Sequence, residues 1–333
     1  MDIFSIWNMM GGLALFLYGM HLLGNGLSQA AGGRMESILS KMTDHPLKAV
    51  LLGAGATAAI QSSSATTVMV VSFVNAGVMQ LQQAVGVILG ANIGTTATSW
   101  ILSLSGIESS NFFLRMLKPE AFSPLLAMAG VIFLIFCKSE KKKVAGGILL
   151  GFAILMLGMD NMGAAMEPLK DIPAFTNLFL AFSNPILGMA AGAVLTAVIQ
   201  SSSASVGILQ ALCATGAIPY SAILPIIMGQ NIGTCATALL SSIGGCTNAK
   251  RAAFIHLYFN VIGTGIFMAG FYAIHYFIPF PFLGQAATAT GIAGIHSCFN
   301  LAATAVLLPF SHLLVRLASL SVPEKKAGQV ACQ

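Results

Sequence analysis

Residues 61–65 read Gln-Ser-Ser-Ser-Ala, and residues 200–204 read the same five letters. Asn-Ile-Gly-Thr at 92–95 returns at 231–234, at the same offset of 139 residues. Gly19/Gly158, Met20/Met159, Pro46/Pro185, Gly53/Gly192, Thr57/Thr196, Gly77/Gly216, Gly90/Gly229, Ala97/Ala236 and Thr98/Thr237 keep that register. One unit is therefore carried twice, and a site at the junction of the copies is the natural expectation.

Outward from these motifs, the chain is 56% hydrophobic and 8% charged over 333 residues, far from the roughly 25% charged usage of soluble domains. Apolar runs of about 20 residues, long enough for a hydrocarbon core of ~30 Å, recur along it. This is a membrane protein spanned by helices. The first run starts after Asp2 with no basic residue ahead of it, and Leu-Tyr-Gly-Met at 17–20 matches Met156 to Met159, so it reads as retained structure and not as a cleaved signal. Cys137, Cys213, Cys235, Cys246, Cys298 and Cys332 show no CxxC spacing, and neither disulfides nor a metal cluster are expected.

Full spans are expected at 6–28, 81–104, 121–137, 144–166, 219–243, 252–278 and 290–318. Segments 49–78 and 184–216 differ, because a straight helix of 30 residues would run ~45 Å and three serines sit at its middle. Each reads as a re-entrant hairpin with the serines at its tip. Basic residues test this, since Lys and Arg collect on the cytoplasmic side. Arg34, Lys41, Lys48, Lys138, Lys141, Lys142, Lys143, Lys250, Arg251, Arg316, Lys325 and Lys326 fall on one side; Arg115, Lys118 and Lys170 fall on the other. If each hairpin crossed once instead, the Lys138–Lys143 cluster would lie outside. The fold class is thus an all-α integral membrane protein, an inverted-repeat transporter with about seven spanning helices plus two re-entrant helical hairpins. Residues 1–120 form the first repeat, with hairpin 49–78 and broken helix 81–104. A connecting span and basic cytoplasmic loop occupy 121–143. The second repeat, 144–250, has hairpin 184–216 and broken helix 219–243, and 251–333 holds two scaffold helices and a short cytoplasmic tail. The expected location is the cytoplasmic (inner) membrane, amino terminus outside and carboxyl terminus cytoplasmic.

At each tip a Gln and three Ser carry polar groups to membrane depth, where an unsatisfied group costs several kcal/mol. The second arm begins just after the serines, so its first N–H groups and the positive end of its dipole face the tip. Two such ends converging make an anion site. In GANIGTTAT (90–98) and GQNIGTCAT (229–237), closely spaced glycines mid-span predict a broken helix. Carbonyls freed there, with Asn92, Thr95, Asn231 and Thr234, would offer hard oxygen ligands to a small alkali cation or a hydroxyl-rich substrate. No Lys or Arg lies in either hairpin or either of these helices. A bound anion would need co-bound cations to balance its charge, which makes the two affinities interdependent.

Two QSSS hairpins, each followed by a GxNIGT helix, resemble the sodium/phosphate cotransporter family, the type II carriers and their bacterial relatives, from about residue 10 to 310. His256–Asn260 (HLYFN) and His296–Asn300 (HSCFN) are similar to that family's HxxFN element. The resemblance implies sodium-driven symport of inorganic phosphate by alternating access, with the QSSS segments forming the sites. Ser62, Ser63, Ser64, Ser201, Ser202, Ser203, Asn92 and Asn231 are then the candidate phosphate ligands. Gln61, Gln200, Thr57, Thr196, Thr95 and Thr234 are the candidates for sodium. Sodium is co-transported and no organic cofactor is implied. The expected partners are phosphate, sodium and the bilayer, with a homodimer compatible and no nucleic acid. Some bacterial relatives append a cytoplasmic helical domain, which is not expected in this sequence of 333 residues.

Hydroxyl and N–H donors would also serve sulfate, arsenate or a dicarboxylate, and an exporter would use the same site. An intramembrane serine hydrolase, with His256 or His296 as base, needs one serine and not six, and neither cluster has the GxSxG frame. A channel would not call for hairpins entering from both faces. Ser-rich stretches often serve only packing; two copies in register, each with a Gln ahead and a glycine-bearing helix behind, argue for a site. For the HxxFN residues interhelical hydrogen bonding is the expected role, while Asp160, level with His21 in the repeat, is a candidate intramembrane carboxylate.

Overall fold

The computed structural model describes residues 3–31, 45–106, 119–168 and 172–324. Its regular elements are helical, and the one β contact among the described residues is an isolated bridge between Pro219 and Ala286. In chain order they are α1 (Ile3–Ala31), α2 (Pro46–Ile60), α3 (Ser63–Asn75), α4 (Leu81–Ser103), α5 (Pro119–Phe136), α6 (Glu140–Met166), α7 (Pro173–Ala181), α8 (Pro185–Ile199), α9 (Ser202–Cys213), α10 (Tyr220–Ser241), α11 (Thr247–Phe277), α12 (Ala289–Leu307) and α13 (Ser311–Ser321). Six of these, α1, α4, α6, α10, α11 and α12, are long and apolar enough to cross a membrane. The expected span at 121–137 is the shorter apolar part of α5. The expected span 290–318 is divided: Pro309, with no N–H to give, ends α12, and α13 restarts at Ser311. A short helix that the apolar pattern does not announce, α7, precedes the second hairpin.

Both segments expected to be hairpins are helix–break–helix units. Pro46 and Pro185 open the first arms, where a missing N–H is no loss, and Asn184 caps α8 by accepting from the N–H groups of Ile186 and Leu187. The arms are 15 and 13 residues in the first unit and 15 and 12 in the second, each about 20 Å. In the first unit Thr57 Oγ1 donates to Thr66 Oγ1 at 3.0 Å. Nine residues of straight helix would hold them ~13 Å apart, so the arms fold back on one another.

The two units open at opposite ends of the molecule. Asn75 Oδ1, at the base of the first, accepts from the N–H of Cys246 ahead of α11 at 2.8 Å. At the base of the second, Ala287 N–H donates to Ile218 O at 2.8 Å and Tyr220 N–H to Gln285 O at 3.1 Å, beyond the far end of α11. α11 has 31 residues, roughly 46 Å. Lys250 and Arg251 belong to the first end, where Arg251 Nε donates to Val322 O at 3.0 Å. Arg34, Lys41, Arg115, Lys118, Lys170, Lys325, Lys326 and Cys332 lie outside the described residues.

Small residues decide the packing. α1 and α6, the leading helices of the two copies, run antiparallel with glycine at every seventh position on each, at 12, 19 and 26 and at 151 and 158. A Cβ at Gly19 would overlap the Leu155 backbone, and one at Gly158 the Phe16 backbone. The same device seats each first hairpin arm on a span. A Cβ at Gly53 would overlap the Val87 carbonyl on α4, and one at Gly90 the Val50 carbonyl on α2. Gly192 with Ile226, and Gly229 with Met189, repeat this in the second copy. Backbones that touch gain dispersion without a hydrophobic drive, which lipid does not supply.

Cys246 is disulfide-bonded, which corrects the expectation of no disulfides; it stands at the cap of α11, between spans and not inside one. Cys137, Cys213, Cys235 and Cys298 are free thiols, and among the described residues no group of three His, Cys, Asp or Glu could hold a metal ion.

Gly53→Val is expected to destabilise the protein by about 1–3 kcal/mol, because the carbonyl it meets cannot move without shifting α4. Gly55→Val, where a Cβ meets nothing, is the control. Thermal unfolding of detergent-purified protein should separate the two.

Candidate functional site

Each tip is built by two residues with opposite jobs. Gln61 ends α2 in the left-handed region, φ 59° and ψ 26°, with its N–H returned to Thr57 O. Ser62 is then extended, and its Oγ accepts from the N–H of Ala65 at 3.1 Å as the N-cap of α3. Gln200 (φ 59°, ψ 22°) and Ser201 repeat this, with Ala204 N–H on Ser201 Oγ at 3.2 Å. A left-handed conformation costs a residue with a Cβ roughly 1–2 kcal/mol. Gln61 recovers part of it by donating to Ala58 O and by accepting from Thr98 Oγ1 at 2.9 Å.

The tips meet. Ser64 Oγ donates to the Gln200 carbonyl at 3.4 Å, across 136 residues of chain. Ser63, Ser202 and Ser203 are buried behind this contact, 4%, 5% and 4% exposed. α3 and α9 both start at the junction, which brings to it the N–H groups of their first turns, groups a helix cannot satisfy by itself.

The helices expected to break do not. α4 and α10 run unbroken through residues 90–98 and 229–237, which corrects the expectation of broken helices at 81–104 and 219–243. The glycines there serve close approach: Cβ atoms at Gly94 and Gly233 would press on the Ala54 and Ala193 carbonyls and on Thr57 and Thr196. No freed carbonyl is offered, because in an apolar setting the ladder is the best partner the backbone has. Asn92 and Asn231 Nδ2 donate one turn back to Ile88 O (3.0 Å) and Ile227 O (2.9 Å). Thr95 and Thr234 Oγ1 do likewise to Ala91 O and Gln230 O. With its donor so used, each Asn keeps its amide oxygen free to turn away from its own ladder.

Residues 15–164 and 173–320 match the family model of the Na+/Pi-cotransporter. The chain belongs to the Na+/Pi-cotransporter family. It is 31% identical over 318 residues to YqeW of Bacillus subtilis (strain 168), a protein without an assigned role, covering 94% of this chain and 97% of YqeW. It is 28% identical over 322 residues to YjbB of Escherichia coli (strain K12), whose name assigns it provisionally to inorganic phosphate export. That match covers 94% of this chain and 55% of YjbB, so the chain spans about half of that relative. To the human sodium-dependent phosphate transport protein 2B it is 31% identical over 138 residues, 39% of this chain and 20% of that protein. No solved structure matches it.

Within this Na+/Pi-cotransporter chain the two halves of the site differ. Thr57 and Thr98 in the first copy have the partners given above. Their counterparts Thr196 and Thr237, and Ser205 at the position of Thr66, carry buried hydroxyls with no hydrogen-bond partner. Motif reading passes over Thr66, Thr98, Ser205 and Thr237 as site residues; their place in the repeat register, four residues from a Gln–Ser break or inside the NIGT helices, is the signal that could have found them. Of the HxxFN residues, His296 bonds between helices as expected. His256 does not, both ring nitrogens being unpartnered, while Asn260 Nδ2 reaches Cys235 Sγ at 3.4 Å. Asp160 is half-buried on α6 and is engaged in an interaction of its own.

Thr57→Val should cost about 0.5–1.5 kcal/mol by removing the bond to Thr66, whose own hydroxyl still donates to Ser62 O, whereas Thr196→Val removes a group that already lacks a partner and should be neutral or stabilising. Unfolding of both variants in sodium-free buffer checks this.

Proposed function

We propose that this chain carries inorganic phosphate across the cytoplasmic membrane together with sodium, by alternating access around the junction of its two QSSS tips. The contact of Ser64 with the Gln200 carbonyl is the observation that carries this reading, since it joins two helix N-termini and six serines from the two copies in one place. Ser62, Ser63, Ser64, Ser201, Ser202 and Ser203, with the first N–H groups of α3 and α9, hold the phosphate oxygens. Asn92 and Asn231, on the neighbouring spans, have Nδ2 donating to their own helices, so what they offer is an amide oxygen, which suits sodium and not a phosphate oxygen.

Gln61, Gln200, Thr57, Thr196, Thr95 and Thr234 take sodium on this reading. Support is stronger in the second copy, where the orphaned oxygens of Thr196, Ser205 and Thr237 would gain from a hard cation what they lack from protein. Segments 49–78 and 184–216 contain no Lys or Arg, so on this reading sodium supplies the charge that phosphate needs, and each raises the other's affinity. The hairpins act as re-entrant elements whose tips lie near the bilayer midplane, with the amino terminus outside and the carboxyl terminus cytoplasmic. Net direction follows the gradients, so uptake and export use one site. The hydrolase reading is less well supported: His296 is engaged with Ser99 and Asn231 and not with a tip serine.

Proteoliposomes loaded without sodium should take up labelled phosphate when a sodium gradient is imposed, and not under a potassium gradient. Ser63→Ala and Ser202→Ala should each lower that uptake by about tenfold, about 1.4 kcal/mol. Loss with only one of them would count against a site shared by both copies. Thr196→Val should weaken sodium activation while leaving the fold intact.

A further inference from the structure

One histidine deep in the protein ties three helices together. His296, on α12, is 1% exposed. Its Nδ1 lies 2.8 Å from Ser99 Oγ on α4, and its Nε2 lies 3.4 Å from Asn231 Oδ1 on α10. The direction of each bond is fixed by the groups around it. Asn231 Nδ2 is committed to Ile227 O, which leaves the amide oxygen, an acceptor only, toward the ring. Nε2 must therefore carry the proton, and Nδ1 accepts from the Ser99 hydroxyl. A neutral imidazole has one donor and one acceptor, and both are used.

Ser99 is held in turn. Gln210, on the outgoing arm of the second hairpin and 2% exposed, donates to Ser99 O at 3.0 Å and to Ala289 O at 2.9 Å. Beside it Trp100 Nε1 donates to Ser297 Oγ at 2.9 Å. The chain of bonds thus runs from the second hairpin through the first copy's NIGT helix to a scaffold helix and on to the second copy's NIGT helix.

The other HxxFN histidine shows that this is not a packing habit of the motif. His256, on α11, is equally buried, yet neither ring nitrogen has a partner. In the second copy Ala238 stands at the position of Ser99, so the hydroxyl that steadies His296 has no counterpart there.

We infer that His296 is a positioning residue for Asn231: its Nε2–H holds the Asn231 amide oxygen in one orientation, leaving that oxygen's second lone pair directed to a cation bound beside the second tip. This rests on the sodium-coupled reading above and assigns a residue outside the tips to the cation half of it. A partner that orients a ligand typically changes metal affinity by about 10–100-fold when removed, without changing the site for the other substrate.

The experiment uses the full chain in proteoliposomes and in detergent. His296→Phe keeps a ring and loses both hydrogen bonds, His296→Gln restores an N–H donor, and Ser99→Ala frees the ring from its tether. Expected for His296→Phe is a rise of about tenfold in the sodium concentration for half-maximal phosphate uptake, with half-saturating phosphate at saturating sodium moved less than about threefold. His296→Gln should recover most of the sodium affinity, and Ser99→Ala should fall between. In detergent without phosphate, the sodium-induced rise in thermal midpoint should weaken in the same order.

Unchanged sodium dependence in His296→Phe overturns the inference, as does an equal loss in His296→Phe and His296→Gln, which marks a packing role. Should His296→Phe fail to fold, His296→Gln and Ser99→Ala decide alone: wild-type sodium activation in Ser99→Ala with none recovered in His296→Gln is again a refutation. If the wild-type protein itself shows neither sodium-dependent uptake nor a sodium-induced shift, the sodium-coupled reading falls and takes this inference with it.

Discussion

Two glutamines in the left-handed region, Gln61 and Gln200, each followed at once by a serine N-cap, are what the structure turns on. A residue with a Cβ does not adopt that conformation without cost, and its appearance at equivalent places in both copies marks a feature kept for use. Without the break, each segment, 49–78 and 184–216, would run through as one helix. With it, the arms fold back, the first N–H groups of α3 and α9 are brought inward, and the Ser64–Gln200 contact closes the junction.

That arrangement holds only because the surrounding helices allow backbones to touch. Glycines on α4 and α10 admit the incoming arms, so the hairpins are seated by main chain lying directly on main chain, α2 against α4 and α8 against α10. In a bilayer this is the available means, since lipid tails give apolar side chains no reason to prefer protein. The same glycines that suggested broken helices are thereby explained: they remove side chains where an arm must fit, and the ladder of α4 and α10 stays whole.

Near-symmetry makes the departures from it informative. Thr57–Thr66 and Thr98–Gln61 are paired in the first copy, while Thr196, Ser205 and Thr237 are unpaired in the second. His296 is anchored and His256 is not. Identical motifs therefore have unequal surroundings: the hydroxyls of one half are paired within the protein, while those of the other are buried without a protein partner, the half to which the proposed sodium coupling assigns the cation.

The sequence by itself determined the membrane class, the repeat and its register, the helix–break–helix form of 49–78 and 184–216, and the tip residues, because apolar run length and exact repetition are local properties that no packing can alter. It also marked the serine N-caps, whose side chains bond three residues on. It misjudged the NIGT helices, since a glycine reads as a breaker until the backbone it meets is known, and it ran 290–318 through Pro309. Only the tertiary structure decided that the tips touch, that their partners are Thr98 and Thr66, and that His296 reaches Ser99 and Asn231. Those contacts join residues 9 to 197 positions apart, and which of two equivalent hydroxyls finds a partner depends on ångström-scale placement of whole helices, a quantity that composition and spacing do not encode.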